Sequence, residues 1–565
     1  MTRAWVLVAV VALGVAGVAV AGPAALRRFA DRPVAWSEHD DENVPAPPKK
    51  NHLQGLELTI TLRDSLQNEA DRILSVEGRV PARDVNAVDE VPCSTWFCPR
   101  NHLHPMSVDE VAAGPNSSAP VLPLRVTKTK DEGAAVGFEV TDAAGHKFLV
   151  KFDPSDRLGL VTAAEAVGNR LFYAAGYNVP GAYVVDLSPE DFTIDPQATY
   201  VLFRVQHRKL DGARLRERLS LAARAPDGRL RAVAVPWIGG DILGSQDMLG
   251  TREGDPNDRI PHENRRSMRA SWVLYAWLGV LDPGPINTID TYVASGERHF
   301  VRHYLIDFSC AFGSATNYAQ GPQQDGEYLI EVGRTLRALF SLGFYQRDFQ
   351  AKDEREEYRT LDAEYPAVGY FPADFDPDNY RTNRKVPPHM RMTADDAYWG
   401  AKVVTSFSNE QIQGAVGTSR LDTRTAAYVA RALESRRDII GRRYLRALAA
   451  VENPAVSTDA RHLCFDDLAI ARGFARPDEV RYLVDVQNGV GVTLSSYEQP
   501  PTGARTCIPF DDAPVADGYR VISVRERLEG GAGHADTAVG KASRVHLMWR
   551  PAEGRYAVVG LERDQ

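Results

Sequence analysis

The stretch "LDPGPINTIDTYVASGERHFVRHYLIDFS", residues 281–309, decides the fold predicted for this chain. It contains two runs typical of β-strands, 288–293 and 300–306, separated by the segment "ASGERH". That segment holds Gly296, and glycine favours the tight turns of antiparallel hairpins. The sequence therefore predicts a β-hairpin that follows an apolar, tryptophan-rich helix.

Three side chains with oxygen ligands flank this hairpin: Asp282 and Asn287 precede it, and Asp307 follows it. If the turn is centred on Glu297, Asn287 lies directly opposite Asp307. Opposed residues have Cβ atoms about 4.5–5.5 Å apart, which is close enough for both side chains to bind one divalent ion. A one-residue slip would break this alignment, so the predicted metal site depends on the register.

Asp282 lies a few residues before Asn287, beside the predicted ion without binding it. A carboxylate in that position can orient an acceptor hydroxyl or remove its proton. Magnesium suits the site, because it rarely takes a full set of protein ligands and keeps phosphate and water oxygens. The alternative is structural, since Asp and Asn are common turn residues and Asp307 could be a capping group. The three residues together favour a functional site.

The order D-x-x-x-x-N, hairpin and "DF" resembles the catalytic and metal-binding loops of the protein-kinase-like superfamily. The resemblance covers about residues 120–450. The motifs "VKFDP", "DPNDRIPHENRR" and "VGYFPADFDP" are most similar to the HipA-like and spore-coat-kinase-like bacterial branches. The resemblance implies an α+β, bilobal kinase-like fold with a β-rich N-lobe and a helical C-lobe. It also implies transfer of a phosphate from ATP or another nucleotide, with Mg²⁺ or Mn²⁺, to a hydroxyl acceptor that the sequence does not identify.

The resemblance further implies a set of nucleotide-binding residues. Lys151, in "FLVKFDP", would hold the α- and β-phosphates, and Glu165 on the following helix would fix that lysine. Gly133 and Gly137, in "KDEGAAVGFEV", are similar in position to the glycine-rich loop that covers nucleotide phosphates. Taken singly, Glu165 could be a solvated surface residue and each glycine could serve only a turn. Their order along the chain favours the nucleotide site.

Two departures from the family pattern leave the activity open. Gly284 stands where many members have a lysine that reaches the transferred phosphate, and Ser309 replaces the glycine of DFG. Stabilising charge on the moving phosphoryl group is the main catalytic task. The alternative prediction is therefore a catalytically weak, pseudokinase-like binding or scaffold protein of the cell envelope.

Hydrophobic periodicity predicts the order of elements. β-type runs fill 122–152, and a helix follows with Thr162 as its N-cap. Further helices are predicted near 60–76, 264–281, 327–344, 393–407 and 423–450. The predicted division is a signal peptide or membrane anchor (1–22), a linker (23–50), an extension with a cysteine loop (51–118), the N-lobe (119–206), the helical C-lobe (207–452) and a small C-terminal β-rich domain (456–565).

The uncharged apolar run at residues 4–22 predicts either a signal peptide or an uncleaved anchor. Arg27 and Arg28 just after it complicate the topology, because positive charge prefers the cytoplasmic side. Export is the preferred interpretation, with the protein on the periplasmic or extracellular side and attached to the membrane if the segment stays uncleaved.

The five cysteines allow two interpretations near the N-terminus. Cys93 and Cys98 form a disulfide loop in an exported chain, or a zinc site with nearby histidines in a cytosolic one. The H-x-H spacing is unusual for zinc, so the disulfide is preferred. Cys464 and Cys507 are predicted to pair, which leaves Cys310 as a buried thiol.

Composition excludes some functions. A net charge of −9 over 565 residues argues against a nucleic-acid-binding protein, which normally carries a basic face. The chain also lacks the G-x-S-x-G, H-E-x-x-H and Walker A motifs, so a hydrolase or a P-loop enzyme has little support.

Overall fold

A computed structural model describes most of the chain. The described residues are 28–29, 38–51, 80–130, 135–202, 206–323, 326–329, 331–341, 344–345, 352–510, 518–528 and 539–564. The predicted segments 1–22 and 60–76, together with Gly133, lie outside them. Within the described residues, no helix has both the length and the apolar character needed to span a bilayer.

A seven-stranded sheet forms the first part of the α+β fold. Its strands are β1 (Leu124–Thr129), β2 (Gly137–Thr141), β3 (Lys147–Phe152), β4 (Tyr183–Leu187), β5 (Phe192–Leu202), β6 (Gln206–Lys209) and β7 (Leu230–Pro236), in the order β4-β7-β3-β2-β1-β5-β6. β1 and β5 run parallel, and the other neighbours are antiparallel. Helix α1 (Val108–Ala113) precedes the sheet in the chain, whereas α2 (Leu160–Ala175) and α3 (Gly212–Leu219) connect strands of the sheet. The sheet continues past residue 206 to Pro236.

The alternation of side chains along β3 determines where Lys151 points. Val150 and Phe152 belong to an apolar cluster that includes Leu215 and Leu219 of α3, so they face one side of the sheet. Successive residues of a strand point to opposite faces. Lys151 therefore points to the other side, where α2 lies.

The start of α2 differs from the prediction. The helix begins at Leu160 with Gly159 as N-cap, so Thr162 is not the N-cap. The cap is supplied from outside the helix by Asp153, whose carboxylate accepts hydrogen bonds from the backbone N–H groups of Gly159, Val161 and Thr162 at 2.8–2.9 Å. The prediction took the hydroxyl of Thr162 as the cap from its position in the sequence, whereas the buried carboxylate of Asp153 accepts from three backbone N–H groups.

The helical part contains α4 (Arg266–Arg269), α5 (Ser271–Leu278), α6 (Val332–Phe340), α7 (Lys352–Glu364), α8 (Pro387–Met390), α9 (Ala394–Val404), α10 (Asn409–Gly417) and α11 (Thr423–Tyr444). The helix predicted over 264–281 is divided into α4 and α5. Every side chain of α5 is buried. Its C-terminal carbonyls are satisfied by Arg436 of α11, which donates to Trp277 O at 3.0 Å and to Ala276 O at 2.6 Å. This contact fixes the point from which the loop carrying Asp282 leaves the helix.

The predicted hairpin is present, but its predicted register is wrong. Strands β9 (Thr288–Ser295) and β10 (Arg298–Leu305) pair Ser295 with Arg298 and Thr288 with Leu305, and β8 (Asp241–Gly244) pairs with the outer side of β9. The turn is the two-residue unit Gly296–Glu297, with Gly296 at φ 61°. A two-residue turn of this handedness matches strand twist. It shifts the pairing by one residue relative to a turn centred on Glu297.

Residues after 450 form β11 (Val451–Val456), β12 (His462–Asp467), α12 (Leu468–Ala471), β13 (Val480–Asn488), β14 (Thr493–Gln499), β15 (Arg505–Pro509), β16 (Tyr519–Leu528), β17 (Ser543–Arg550) and β18 (Arg555–Arg563). They make a three-stranded sheet, β11-β12-β15, and a five-stranded sheet, β14-β13-β16-β17-β18. The interior of these sheets is continuous with the helical core, because Val484 and Ile522 belong to the same apolar cluster as Trp277.

Both predicted disulfides are confirmed: Cys93 bonds Cys98, and Cys464 bonds Cys507. The second bridge joins directly paired positions of β12 and β15. Cys310 is a buried free thiol, as predicted.

Candidate active site

Lys151 brings two distant carboxylates together. Its Nζ donates to Glu165 Oε2 at 2.9 Å and lies 2.8 Å from Asp307 Oδ1. The side chains of Lys151 and Glu165 are 3% and 1% exposed, whereas that of Asp307 is 27% exposed. The predicted contact between Glu165 and Lys151 is therefore present, and Asp307 reaches it from the end of the hairpin. The partly exposed Asp307 carboxylate forms the open side of the cluster.

The charges in this cluster stabilise one another. Burial would lower the pKa of Lys151, but the carboxylates of Asp307 and Glu165 raise it above its ordinary value. Burial would raise the pKa of Asp307, but the ammonium of Lys151, followed by that of Lys130, holds it below its ordinary range. Lys151 is thus a fixed cation and Asp307 a fixed anion at neutral pH.

The backbone at Asp307 is in the left-handed region, with φ 59°. This conformation is costly for a residue with a side chain and persists where surrounding contacts impose it. Here Lys151 and the hydroxyl of Ser309 both donate to Asp307 Oδ1. The hydroxyl of Ser309 therefore helps to hold the aspartate in place.

Phe308 anchors the same turn on α2. It is 1% exposed, and its ring centroid lies 4.7 Å from that of Phe172. A Cβ atom on Gly168 would lie only 2.7 Å from Phe308 Cβ, so the absence of a side chain there lets the turn approach the helix. Since Glu165 is one turn earlier on α2, a single helix positions both partners of Lys151.

Asp282 and Asn287 share the loop between α5 and β9. Asn287 lies in the 3-10 turn Pro285–Asn287, and its Nδ2 donates to the backbone carbonyl of Asp282 at 2.7 Å. The Asn287 carbonyl accepts from Ile306 N–H at 3.0 Å, which ties the loop to the residue before Asp307. Asn287 therefore lies opposite Ile306, one residue before Asp307, and not directly opposite Asp307 as predicted.

Asp282 is the titratable group of the loop. Burial, followed by repulsion from Asp307, raises its pKa to about 6, partly offset by Asn287, Cys310 and Arg384. Its Oδ1 is enclosed and has no hydrogen-bond partner among the described residues. A carboxylate with this pKa is ionised at neutral pH and can accept a proton, which is the requirement for a general base.

The donor set fits a nucleotide-bound divalent cation better than a metal held by protein alone. Asp307 offers a fixed anionic carboxylate, and Asn287 can present its amide oxygen because its nitrogen bonds Asp282. Among the described residues, no three His, Cys, Asp or Glu side chains are grouped to hold a metal. Two protein oxygens with phosphates and water are what Mg²⁺ commonly uses.

Lys130 is a site residue that the sequence analysis missed. It follows β1, its charge acts on Asp307, and burial and repulsion from Lys151 lower its own pKa. Its stem passes over Gly137, where an added Cβ would lie 3.3 Å from Lys130 Cδ and 2.4 Å from Val150 O. Gly137 pairs directly with Lys151. Gly137 therefore allows Lys130 to approach the cluster closely. The position of Lys130 at the end of a predicted strand was the sequence signal that could have identified it as a site residue.

The motif "DPNDRIPHENRR" (255–266) forms a buried ionic network around the start of α4. His262 Nε2 lies 2.6 Å from Asp258 Oδ2, and Arg266 bonds Asp395 Oδ2 at 2.6 Å. Arg265 pairs with Glu38 at 2.8 Å. These contacts join the start of α4 to α9 and to Glu38 in the predicted linker (23–50), so the motif has a structural role in positioning the helices.

Arg384, in the segment between α7 and α8, also lies beside the Asp282 loop. The side chain is 5% exposed, and its Cδ is 3.5 Å from where a Cβ atom of Gly284 would lie. Nothing in the local sequence identified this residue, because its proximity to Gly284 depends entirely on the tertiary fold.

Comparison with known proteins gives limited similarity. No protein-family model matches the sequence, and no curated protein matches it significantly. A crystal structure of the Golgi casein kinase with Mn/ADP bound is 9% identical, with a TM-score of 0.29, and the match covers 57% of this chain and 72% of that chain. A second crystal structure of the Golgi casein kinase is 9% identical, with a TM-score of 0.30, and the match covers 72% of this chain and 94% of that chain. At these values neither similarity assigns a function to this chain.

Proposed function

We propose that this protein is a metal-dependent phosphotransferase of the atypical kinase-like type, which transfers the γ-phosphate of ATP or another nucleotide to a hydroxyl acceptor. One observation carries the proposal: a buried lysine contacts both a helix glutamate and the aspartate that follows the hairpin. A second carboxylate, Asp282, lies on the adjacent loop. This arrangement provides a phosphate-binding cation, a metal-binding anion and a base in one cleft.

Each residue has a distinct role in the proposed reaction. The acceptor oxygen forms a bond to the γ-phosphorus while the bond from that phosphorus to the β,γ-bridging oxygen breaks, and the bond electrons leave with the nucleoside diphosphate. The acceptor proton passes to Asp282. Lys151, fixed by Glu165, holds the α- and β-phosphates, and Lys130 adds positive charge beside them.

Asp307 and Asn287 would hold the divalent cation, Mg²⁺ or Mn²⁺. The bound cation would neutralise charge on the phosphates and orient them. Lys151 forms an ion pair with Oδ1 of Asp307. Nucleotide binding is therefore expected to redistribute the contacts of Asp307 between the lysine and the cation.

We also propose that the protein works on the exported side of the membrane, as expected from residues 4–22. The two disulfides support this location, since stable disulfides are typical of oxidising compartments. Membrane attachment depends on whether the N-terminal segment is retained.

A catalytically weak binding protein is the second candidate. Gly284, at φ 139°, supplies no side chain where a phosphate-binding lysine is expected. Extracellular ATP is also scarce, which favours a binding role outside the cell. In this case the cleft would bind nucleotide, or a partner, without rapid transfer.

Calorimetric titration with ADP and ATP, each with Mn²⁺ and then with Mg²⁺, tests the nucleotide site. Wild type is expected to bind in a metal-dependent manner, and Asp307→Ala is expected to lose the metal dependence. Transfer is then measured with γ-labelled ATP as label incorporated into the protein or released with product. Binding without transfer would favour the weak binding protein, and equal binding by wild type and Asp307→Ala would rule out the proposed metal site.

A further inference from the structure

Arg384 carries a buried positive charge that forms no ion pair within 4 Å among the described residues. Its Nε and Nη1 are enclosed and have no hydrogen-bond partner among the described residues. Burying two guanidinium nitrogens without partners is costly, because they lose hydration and gain no hydrogen bonds in return. An unsatisfied buried group needs an explanation, and a catalytic or ligand-binding role is one.

The backbone holds Arg384 firmly next to the catalytic loop. Asn383 N–H donates to Leu281 O at 2.6 Å, directly before Asp282. The hydroxyl of Thr382, which is fully buried, donates to Arg384 O at 2.6 Å. The segment therefore crosses the loop at a fixed point, and the side chain lies over Gly284.

Arg384 and Asp282 influence each other without pairing. The positive charge of Arg384 is one of the groups that lower the pKa of Asp282, against the larger effect of burial. Yet Asp282 Oδ1 and the two enclosed Arg384 nitrogens all lack partners among the described residues. Each group thus keeps hydrogen-bonding capacity for a third molecule that contacts both of them.

We propose that Arg384 binds the phosphoryl group being transferred and supplies the positive charge that Gly284 cannot. This inference rests on the proposed phosphotransferase function and names a further residue of the same site. Negative charge on the oxygens of the γ-phosphoryl group must be stabilised as the bond to the leaving oxygen breaks. A guanidinium can donate two parallel hydrogen bonds to such oxygens. Gly284, two residues after Asp282, has no side chain and so leaves space for the Arg384 guanidinium to reach the phosphoryl oxygens.

The decisive experiment compares a nucleoside diphosphate with a γ-phosphate analogue. Full-length wild type, Arg384→Met and Arg384→Lys are titrated calorimetrically with Mn·ADP and with the Mn complex of the β,γ-imido analogue of ATP. Arg384→Met is expected to bind Mn·ADP as wild type does but to bind the imido analogue about tenfold or more weakly, the loss typical of a charge-assisted hydrogen bond. Arg384→Lys should recover part of this loss.

Lys385→Met is the matched control, because Lys385 is the adjacent cation and lies over the ring of Tyr328, 5.5 Å from its centroid. It should leave both affinities unchanged. An equal loss with Lys385→Met would show that general charge, and not Arg384, matters. Retained discrimination between the two nucleotides in Arg384→Met would overturn the inference. Wild type that binds Mn·ADP but does not distinguish the imido analogue would also overturn it. Wild type that binds neither nucleotide would instead overturn the proposed function itself.

Thermal unfolding without ligand separates a ligand-binding role from a structural one. If Arg384 is retained for binding, Arg384→Met removes an unsatisfied buried charge, and the Tm stays the same or rises. A fall in Tm together with equal weakening of Mn·ADP and analogue binding would identify a structural residue and overturn the inference.

Discussion

The Lys151 ammonium lies 2.8 Å from the Asp307 carboxylate, although the two residues belong to different parts of the chain. Lys151 is on a central strand of the seven-stranded sheet, and Asp307 follows the hairpin in a left-handed backbone conformation. The contact joins the sheet to the turn that follows the hairpin. The stability of the two parts and the binding of nucleotide should therefore depend on the same ion cluster.

Replacing Lys151 by methionine tests that dependence. The change leaves the carboxylates of Glu165 and Asp307 without their shared cation, and breaking a buried ion pair typically costs about 3–5 kcal/mol. We expect a lower free energy of unfolding in urea and no detectable binding of Mn·ADP by calorimetry. Glu165→Gln is the matched control, because it keeps the Lys151–Asp307 contact and should weaken binding less. Unchanged nucleotide affinity in Lys151→Met would contradict the assigned role.

Asp282→Asn is expected to stabilise the protein at high pH. Because the folded-state pKa of about 6 lies above the unfolded value, the folded state binds the proton more tightly, and stability falls as pH rises through the interval between them. The charge is then unfavourable above about pH 6, by about 2–3 kcal/mol from the size of the shift. Tm measured from pH 4 to pH 8 should show a gain for Asp282→Asn that grows with pH and disappears near pH 4.

Asp307→Asn is expected to change the Tm at neutral pH in the opposite direction to Asp282→Asn. Its pKa is held below the ordinary value by Lys151 and Lys130, against burial, so its ionised form stabilises the fold above the unfolded pKa. Removing the charge should lower Tm at pH 7 and matter less as pH falls below about 4. Two aspartates that give the same sign of Tm change at pH 7 would contradict the electrostatic description of the site.

Much of the cleft follows from local sequence, and the rest depends on long-range contacts. The hairpin, with Asp282 and Asn287 before it, could be predicted from turn residues and β-type runs, and the Lys151–Glu165 contact from the resemblance to the kinase-like superfamily. The pairing register could not be predicted, because the sequence around Gly296 is compatible both with a two-residue turn and with a turn of odd length, and the two turns pair the strands differently. The cap from Asp153 and the approach of Arg384 to Gly284 were missed for a different reason. Both join residues whose proximity is created only by tertiary packing.

Gly168→Ala is expected to disturb the turn that carries Asp307, the proposed metal ligand, without touching a charged residue. The new Cβ would lie 2.7 Å from Phe308 Cβ, in a helix that also carries Glu165. Overpacking of this kind costs about 1–3 kcal/mol, and the displaced Phe308 would move Asp307. We expect lower stability in urea and weaker Mn·ADP binding. Gly333→Ala in α6, where an added Cβ meets nothing within 4 Å, is the control and should change neither quantity appreciably. Normal nucleotide affinity in Gly168→Ala would show that Phe308 does not position Asp307.

The two disulfides should contribute unequally to stability. The bridge Cys464–Cys507 spans 43 residues and Cys93–Cys98 spans 5. In the chain-entropy description a longer loop restricts the unfolded state more, which predicts about 4 kcal/mol for the first bridge and about 2 kcal/mol for the second. Urea unfolding of the two paired Cys→Ala variants measures the difference. Calorimetry should show unchanged Mn·ADP affinity in Cys464→Ala/Cys507→Ala, because this bridge joins β12 to β15 within the three-stranded C-terminal sheet. Loss of nucleotide binding in that variant at a temperature where it remains folded would contradict this separation, since it would mean that the C-terminal sheets help to shape the cleft.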